Sequence, residues 1–374
     1  MRCSDLRVRI LAVIGATGLA SAAITACGSD PSPIGSHAQD DAADERGDAG
    51  GGLFTDAAPD SAQPDTSGQD GAGDERPPSP RRPFLVGASL RSAASEVRDD
   101  WVLRDPENSR DSRSGLDAAT ARELARVWLA DGLEEHASIA AFARFTMMLL
   151  AVGAPPDLVV ASQRASIDEI GHARECFALA HRYGGGSAVG PGKLDVHDAL
   201  GAFTLADLAA LATEEGCIGE TLGVALANEQ LALVTDPHAS RVLTRIVKDE
   251  ARHAELAWRF VAWAIGEEQR GSPSASGVSA AVGRAAAHAI AATRAMTIRP
   301  GPNDLAAWHT HGRLTCAEAR DASERAVQEV VLPCLGALLG EGRGPQASGL
   351  SPETRVERAD QTPGVGSPSR PLSA

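Results

Sequence analysis

Aromatic residues make up only 3% of the 374-residue chain, and there is a single tyrosine. Barrels and sandwiches lean on aromatic and β-branched strands, so this composition disfavours an all-β fold. Positive charge is also short: 35 Lys and Arg face 50 Asp and Glu, for a net charge of −15. An electrostatic nucleic-acid binder needs the opposite sign, which sets aside DNA and RNA as partners. Beyond the N-terminal segment no run of 18 apolar residues occurs, so no spanning helix is expected there. No glycine-rich loop follows a strand pattern, so no nucleotide site is visible.

What is present falls into blocks. Arg2, Arg7 and Arg9 precede a short apolar stretch from Ile10 to Ile24, the layout of a targeting segment. It ends in Ile24-Thr25-Ala26-Cys27, which resembles a bacterial lipobox. The resemblance implies a signal peptide at 1–26, cleavage before Cys27 and lipidation of Cys27, with a membrane as partner through that anchor. An ordinary secretory signal is the alternative. Either way the mature chain is expected outside the cytoplasm, in the cell envelope. Residues 28–80 hold ten Asp and two Glu against two Arg, and their only large apolar residues are Ile34, Leu53 and Phe54. Such a segment cannot offset the entropy of ordering. Residues 27–115 therefore read as a disordered acidic linker ending in an arm, whose apolar patches Pro83–Val86 and Trp101–Leu103 dock on the domain. The tail, 342–374, is polar and rich in Pro and Gly and is expected to be disordered.

Between these flanks the fold class reads as all-α, with alanine abundant and the apolar residues at helical spacing. Four long helices are predicted at about 117–152, 157–183, 204–234 and 236–270, joined by short, long and short connections. This makes 116–270 a four-helix bundle with one long crossover. Thr204 and Asp236 are expected N-caps, the latter followed by Pro237 at the first helical position. Residues 271–341 form a C-terminal helical extension, with weaker helices at 276–296 and 317–339. Pro333 breaks or kinks the second of these.

The second helix carries Asp168-Glu169-Ile170-Gly171-His172, and the fourth carries Asp249-Glu250-Ala251-Arg252-His253. In each, Glu-x-x-His places a carboxylate and an imidazole on one helix face, one turn apart. Two such helices offer four ligands to one centre, and a dimetal carboxylate bundle needs one more Glu from each remaining helix. Glu135 shares a face with Leu124, Trp128, Ile139, Phe142 and Leu149. Glu215 shares one with Leu208, Leu211, Ile218 and Leu222. A carboxylate inside an apolar stripe is buried, and a buried charge needs a partner or a metal. Glu134 and Glu214 point about 100° away. Spacing agrees: 34 residues separate Glu135 from Glu169 and 35 separate Glu215 from Glu250. The expected metal ligands are therefore Glu135, Glu169, His172, Glu215, Glu250 and His253. This oxygen-rich, nitrogen-poor set suits two iron ions, or manganese, better than copper. Glu220 is placed on the surface, Cys176 in the core as a small hydrophobe, and His309 and His311 in solvent.

Residues 116–270 resemble the ferritin-like superfamily, in particular the Ala-rich ferritin-like domains of bacterial lipoproteins. The segments that carry the resemblance are 135–144, Glu215-Gly216-Cys217-Ile218-Gly219-Glu220-Thr221, and Asp249 to Phe260. It implies a non-haem di-iron centre in which Asp168 orients His253 and Asp249 orients His172. Gly171 stands where the second copy has Arg252, so these outer contacts are not symmetric. The implied activity is oxidation of Fe(II) or reduction of O2 or peroxide. A di-iron oxygenase with an external reductase and a bundle that uses metal only for stability are the alternatives. No Cys-x-x-Cys pair is present, so the rubredoxin-type electron donor of rubrerythrins is absent and the donor is unassigned. Replacing Cys27 by Ala should release the protein from membranes, as read by fractionation; persistent membrane association would refute lipid anchoring.

Overall fold

Asp117 accepts the backbone N–H groups of Ala119 and Thr120 and so opens α1 (Ala118–Ala151). The computed structural model describes residues 82–340 apart from 88, 104–114, 187, 296–301 and 303. The expected signal peptide, Cys27, the acidic stretch up to residue 81 and the tail 342–374 lie outside the described residues. After a four-residue turn, α2 runs Pro156–Gly184 and packs along α1 as a hairpin. Thr204 and Asp207 form a reciprocal capping box that starts α3 (Leu205–Leu211). Without leaving the rod, the chain passes through a π-helical segment, Ala212–Glu220, into α4 (Thr221–Leu233). Asp236 caps α5 (Pro237–Gln269), with Pro237 at its first position as expected.

These rods form a helical core. α2 packs along α5, and α5 along the π segment and α4. The described part of the chain is mostly helical, in agreement with the all-α expectation. The third rod departs from it, because the continuous helix expected over 204–234 is interrupted. Gly216 sits at the interruption, and a Cβ there would overlap Ala257 of α5. None of the helices described is long and apolar enough to cross a membrane.

The extension beyond α5 contains α6 (Val278–Arg294), α7 (Leu305–Thr310), α8 (Cys316–Ala326), a second π segment (Val327–Val331) and α9 (Leu332–Leu339). The predicted break falls in that π segment, just before Pro333. Helix α7 was not foreseen, because its six residues show no period. α6 packs on α3 and the first π segment, and α8 packs on α4. His311 is not in solvent: it is buried, with Nδ1 3.0 Å from the Tyr183 hydroxyl.

The described part of the arm, from residue 82 to 103, packs against the helices. Strands β1 (Leu85–Val86) and β2 (Ser89–Leu90) pair as a small hairpin. β3 (Ser95–Val97) pairs antiparallel with β4 (Val189–Pro191) of the crossover. Phe84 buries against Ala137 and Ala141 of α1, with the Arg144 guanidinium 5.1 Å from its ring. Removing that ring should cost about 3 kcal/mol. Phe84→Ala should therefore lower the urea midpoint at unchanged slope; an unaltered midpoint would show that the arm contributes nothing to stability.

Candidate metal centre

Glu169 and His172 of α2 and Glu250 and His253 of α5 meet inside the helical core, each 2% exposed or less. The Nδ1 atoms of both imidazoles point inward. His172 Nδ1 lies 3.5 Å from Glu169 Oε2 and 3.5 Å from Glu250 Oε1. His253 Nδ1 lies 3.1 Å from Glu169 Oε1 and 3.3 Å from Glu250 Oε2. Each carboxylate thus divides its two oxygens between the two histidines, and the rings stand 6.0 Å apart.

Both Nε2 atoms face outward, onto the aspartates of the opposite helix. His172 Nε2 is 3.1 Å from Asp249 Oδ2, and His253 Nε2 is 3.4 Å from Asp168 Oδ2. This is the crossed pairing that the family resemblance implies, and it fixes each ring with Nδ1 toward the centre. Arg252 ties the aspartates together, at 2.9 Å from Asp168 and 2.8 Å from Asp249. The sequence asymmetry now has a reason. A side chain at Gly171 would collide with Arg245, which uses that space to reach Asp249 (3.5 Å) and Glu175 (2.9 Å).

Two overlapping sets of ligand atoms, each within 4.8 Å of one another, result: Glu135, Glu169, His172 and Glu250, and then Glu220, Glu250 and His253. Five of the six residues expected from sequence lie in these sets. Glu215 does not, and that expectation is corrected. Its carboxylate accepts from Arg144 Nη2 at 2.9 Å and lies 3.7 Å from Arg82 Nε. Arg82, at the start of the arm, is fully buried with its guanidinium 4.5 and 4.6 Å from the Phe142 and Phe145 ring centres. Cation–π attraction compensates part of its lost hydration. Arg144 also donates to the Leu85 carbonyl, so the arm and Glu215 share one anchor.

Glu220 takes the place expected for Glu215. It is 1% exposed, not on the surface. The π segment is the cause. In an α-helix of 3.6 residues per turn, positions five apart differ by about 140°. Winding with i→i+5 bonds brings such positions back to one side. Both glutamates therefore face inward, Glu215 to the arginines and Glu220 to the cluster. The sequence held no signal for this: on a regular helix Arg144 lies about 180° from Glu135, away from the apolar stripe, so nothing in the pattern along α1 marked it as a partner for Glu215.

The residues fit a pair of divalent cations. Glu169 Oε2, His172 Nδ1, Glu220 Oε1, Glu250 Oε2 and His253 Nδ1 are all buried without a hydrogen-bond partner. Such atoms are costly unless something else binds them. Neighbouring ligands of an ion with bonds of about 2.0–2.2 Å stand about 3 Å apart, close to the N···O spacings here. In the metal-free protein protons take the place of cations. Burial alone would lower both imidazoles, but the carboxylates of Asp249, Glu169 and Glu250 hold His172 well above its ordinary value. Asp168, Glu169 and Glu250 do the same for His253. Burial and the Glu250 charge push Glu220 well up. Asp249 is depressed to about 2: burial opposes this, but His172 and Arg252 outweigh it.

Comparison with protein-family models, with curated proteins and with solved structures finds no match to this chain. The site therefore stands on its own geometry.

Groups with raised folded-state values stabilise the metal-free fold fully only below their unfolded values. For the imidazoles that is about pH 6.5. The contribution is lost as pH climbs through the raised values, because the native state then binds more protons than the unfolded one. The melting temperature of the metal-stripped protein should fall as pH rises above about 6.5, and added Fe(II) or Mn(II) should remove the trend. A pH-independent midpoint in the stripped protein would contradict this charge balance.

Proposed function

We propose that this chain is a ferritin-like di-iron carboxylate protein that oxidises Fe(II) or reduces O2 or peroxide. Manganese is the alternative occupant of the site. The observation that carries the reading is the division of Glu169 and Glu250 between His172 and His253. Two carboxylates shared by two imidazoles, with Glu135 on one side and Glu220 on the other, are the donor set for two cations side by side. Iron bound there would supply one-electron exchange with dioxygen or peroxide.

The chain's own residues do the rest. Asp168 and Asp249 hold both imidazoles in the tautomer that presents Nδ1 inward. Arg252 and Arg245 keep those aspartates charged and in place. Phe142, whose ring centre lies 5.0 Å from that of His253, walls the centre from water. Glu220 gives up its proton when it becomes a ligand. A cavity of about 140 Å³ reaches Glu250. A dry cavity of ~150 Å³ is known to hold benzene, so dioxygen or peroxide fits this one. In this reading the lipidated Cys27 and the acidic linker hold the domain at a membrane of the cell envelope.

Elemental analysis of the full chain after anaerobic loading with Fe(II) should give two irons, and admitting oxygen should start rapid uptake. Glu250→Ala and His253→Ala should each lose at least one iron. Glu220→Ala should lose one, whereas Glu215→Ala should keep two. Unchanged iron in the first three variants would overturn the assignment.

A further inference from the structure

The cavity that reaches Glu250 is closed partly by the C-terminal extension. Its polar lining is Asp131 of α1, Gln230 of α4, Glu250 of α5 and Arg313, from the loop between α7 and α8. Arg313 Nη1 donates to Asp131 Oδ2 at 2.5 Å, and its guanidinium carbon lies 4.9 Å from the Trp128 ring centre. Both members of the pair are 13% exposed, so they stand between solvent and the interior. At the inner end Glu250 is buried, and its Oε2 has no hydrogen-bond partner.

Resting on the dimetal reading, we propose that this cavity is the port through which a divalent cation reaches the cluster. Asp131 is its outer oxygen donor, and Arg313 is the counter-ion that occupies Asp131 between arrivals. Two carboxylates and an amide oxygen are hard donors suited to Fe(II), Mn(II) or Co(II). They run from the partly exposed Asp131 to Glu250, itself a ligand candidate in both sets. A buried Asp131 without a cation needs compensation, which Arg313 supplies. Arg313 has only donors and stays charged, so it cannot itself ligate a metal. Stacking on Trp128 gives the guanidinium a resting place when the carboxylate is taken. Gly223 and Ala227 line the same wall of α4 and leave the passage clear. The larger cleft, of about 540 Å³ between α2 and α5, reaches His253 but is lined by no carboxylate of either ligand set.

The two members of the pair should have opposite effects. In the full chain, stripped of metal and mixed with Co(II), the visible absorbance of bound cobalt gives the uptake rate and its end point. Asp131→Asn removes the outer negative charge, leaves Arg313 unbalanced at the mouth and should slow uptake by about tenfold. Arg313→Gln removes the positive charge that competes with the cation at Asp131 and should speed uptake severalfold. Asp131→Glu keeps the donor and should keep the wild-type rate. All variants should still take up two cobalt ions. A structural ion pair would make Asp131→Asn and Arg313→Gln change in the same direction, because each breaks one contact. That result, or unchanged rates, would overturn the port while leaving the cluster standing. Failure of the wild type to bind cobalt would overturn both.

Discussion

Burial of acid in the centre of a helical core is the constraint on which the rest of this structure depends. Glu135, Glu169 and Glu250 lie together with His172, and Glu220 joins them through Glu250 and His253. Like charges so close cannot all ionise without cations or protons. The surroundings answer this in layers. The imidazoles stand between the inner glutamates and the outer aspartates. Arg252 and Arg245 stand outside those aspartates, at the edge of solvent. Negative and positive charge alternate from the centre outward, so each buried group has a counter-charge nearby and the centre keeps unmet ligand atoms.

The halves of the bundle are related but not equal. Each supplies a glutamate and then Glu-x-x-His, and the crossed Asp–His pairs repeat the relation in space. The repeat breaks in the third rod. Glu135 precedes Glu169 by 34 residues, whereas Glu220 precedes Glu250 by only 30. The π segment absorbs the difference by turning a later glutamate inward. Glu215, at the position the repeat favours, is held by Arg82 and Arg144. The arm that brings Arg82 therefore belongs to the electrostatics of the centre. The extension has a comparable part on the other side, where Arg313 meets Asp131. Both additions to the helical core place an arginine against a carboxylate of that core.

The sequence by itself determined the helical class, the extents of the long rods, their caps and the two Glu-x-x-His helices. These follow from local rules: apolar spacing, capping chemistry, and carboxylate and imidazole one turn apart. Which aspartate meets which histidine was implied by the family resemblance and not by any local rule. Only the tertiary structure decided which glutamate of the third rod joins the cluster. That choice rests on a change of winding over nine residues, Ala212–Glu220. The change in turn rests on Gly216 letting α5 approach and on two arginines, from the arm and from α1, claiming Glu215. Arg82 is 133 residues from Glu215 in sequence. A pattern read along one helix assumes a constant turn and carries no information about a charge that arrives from elsewhere in the chain.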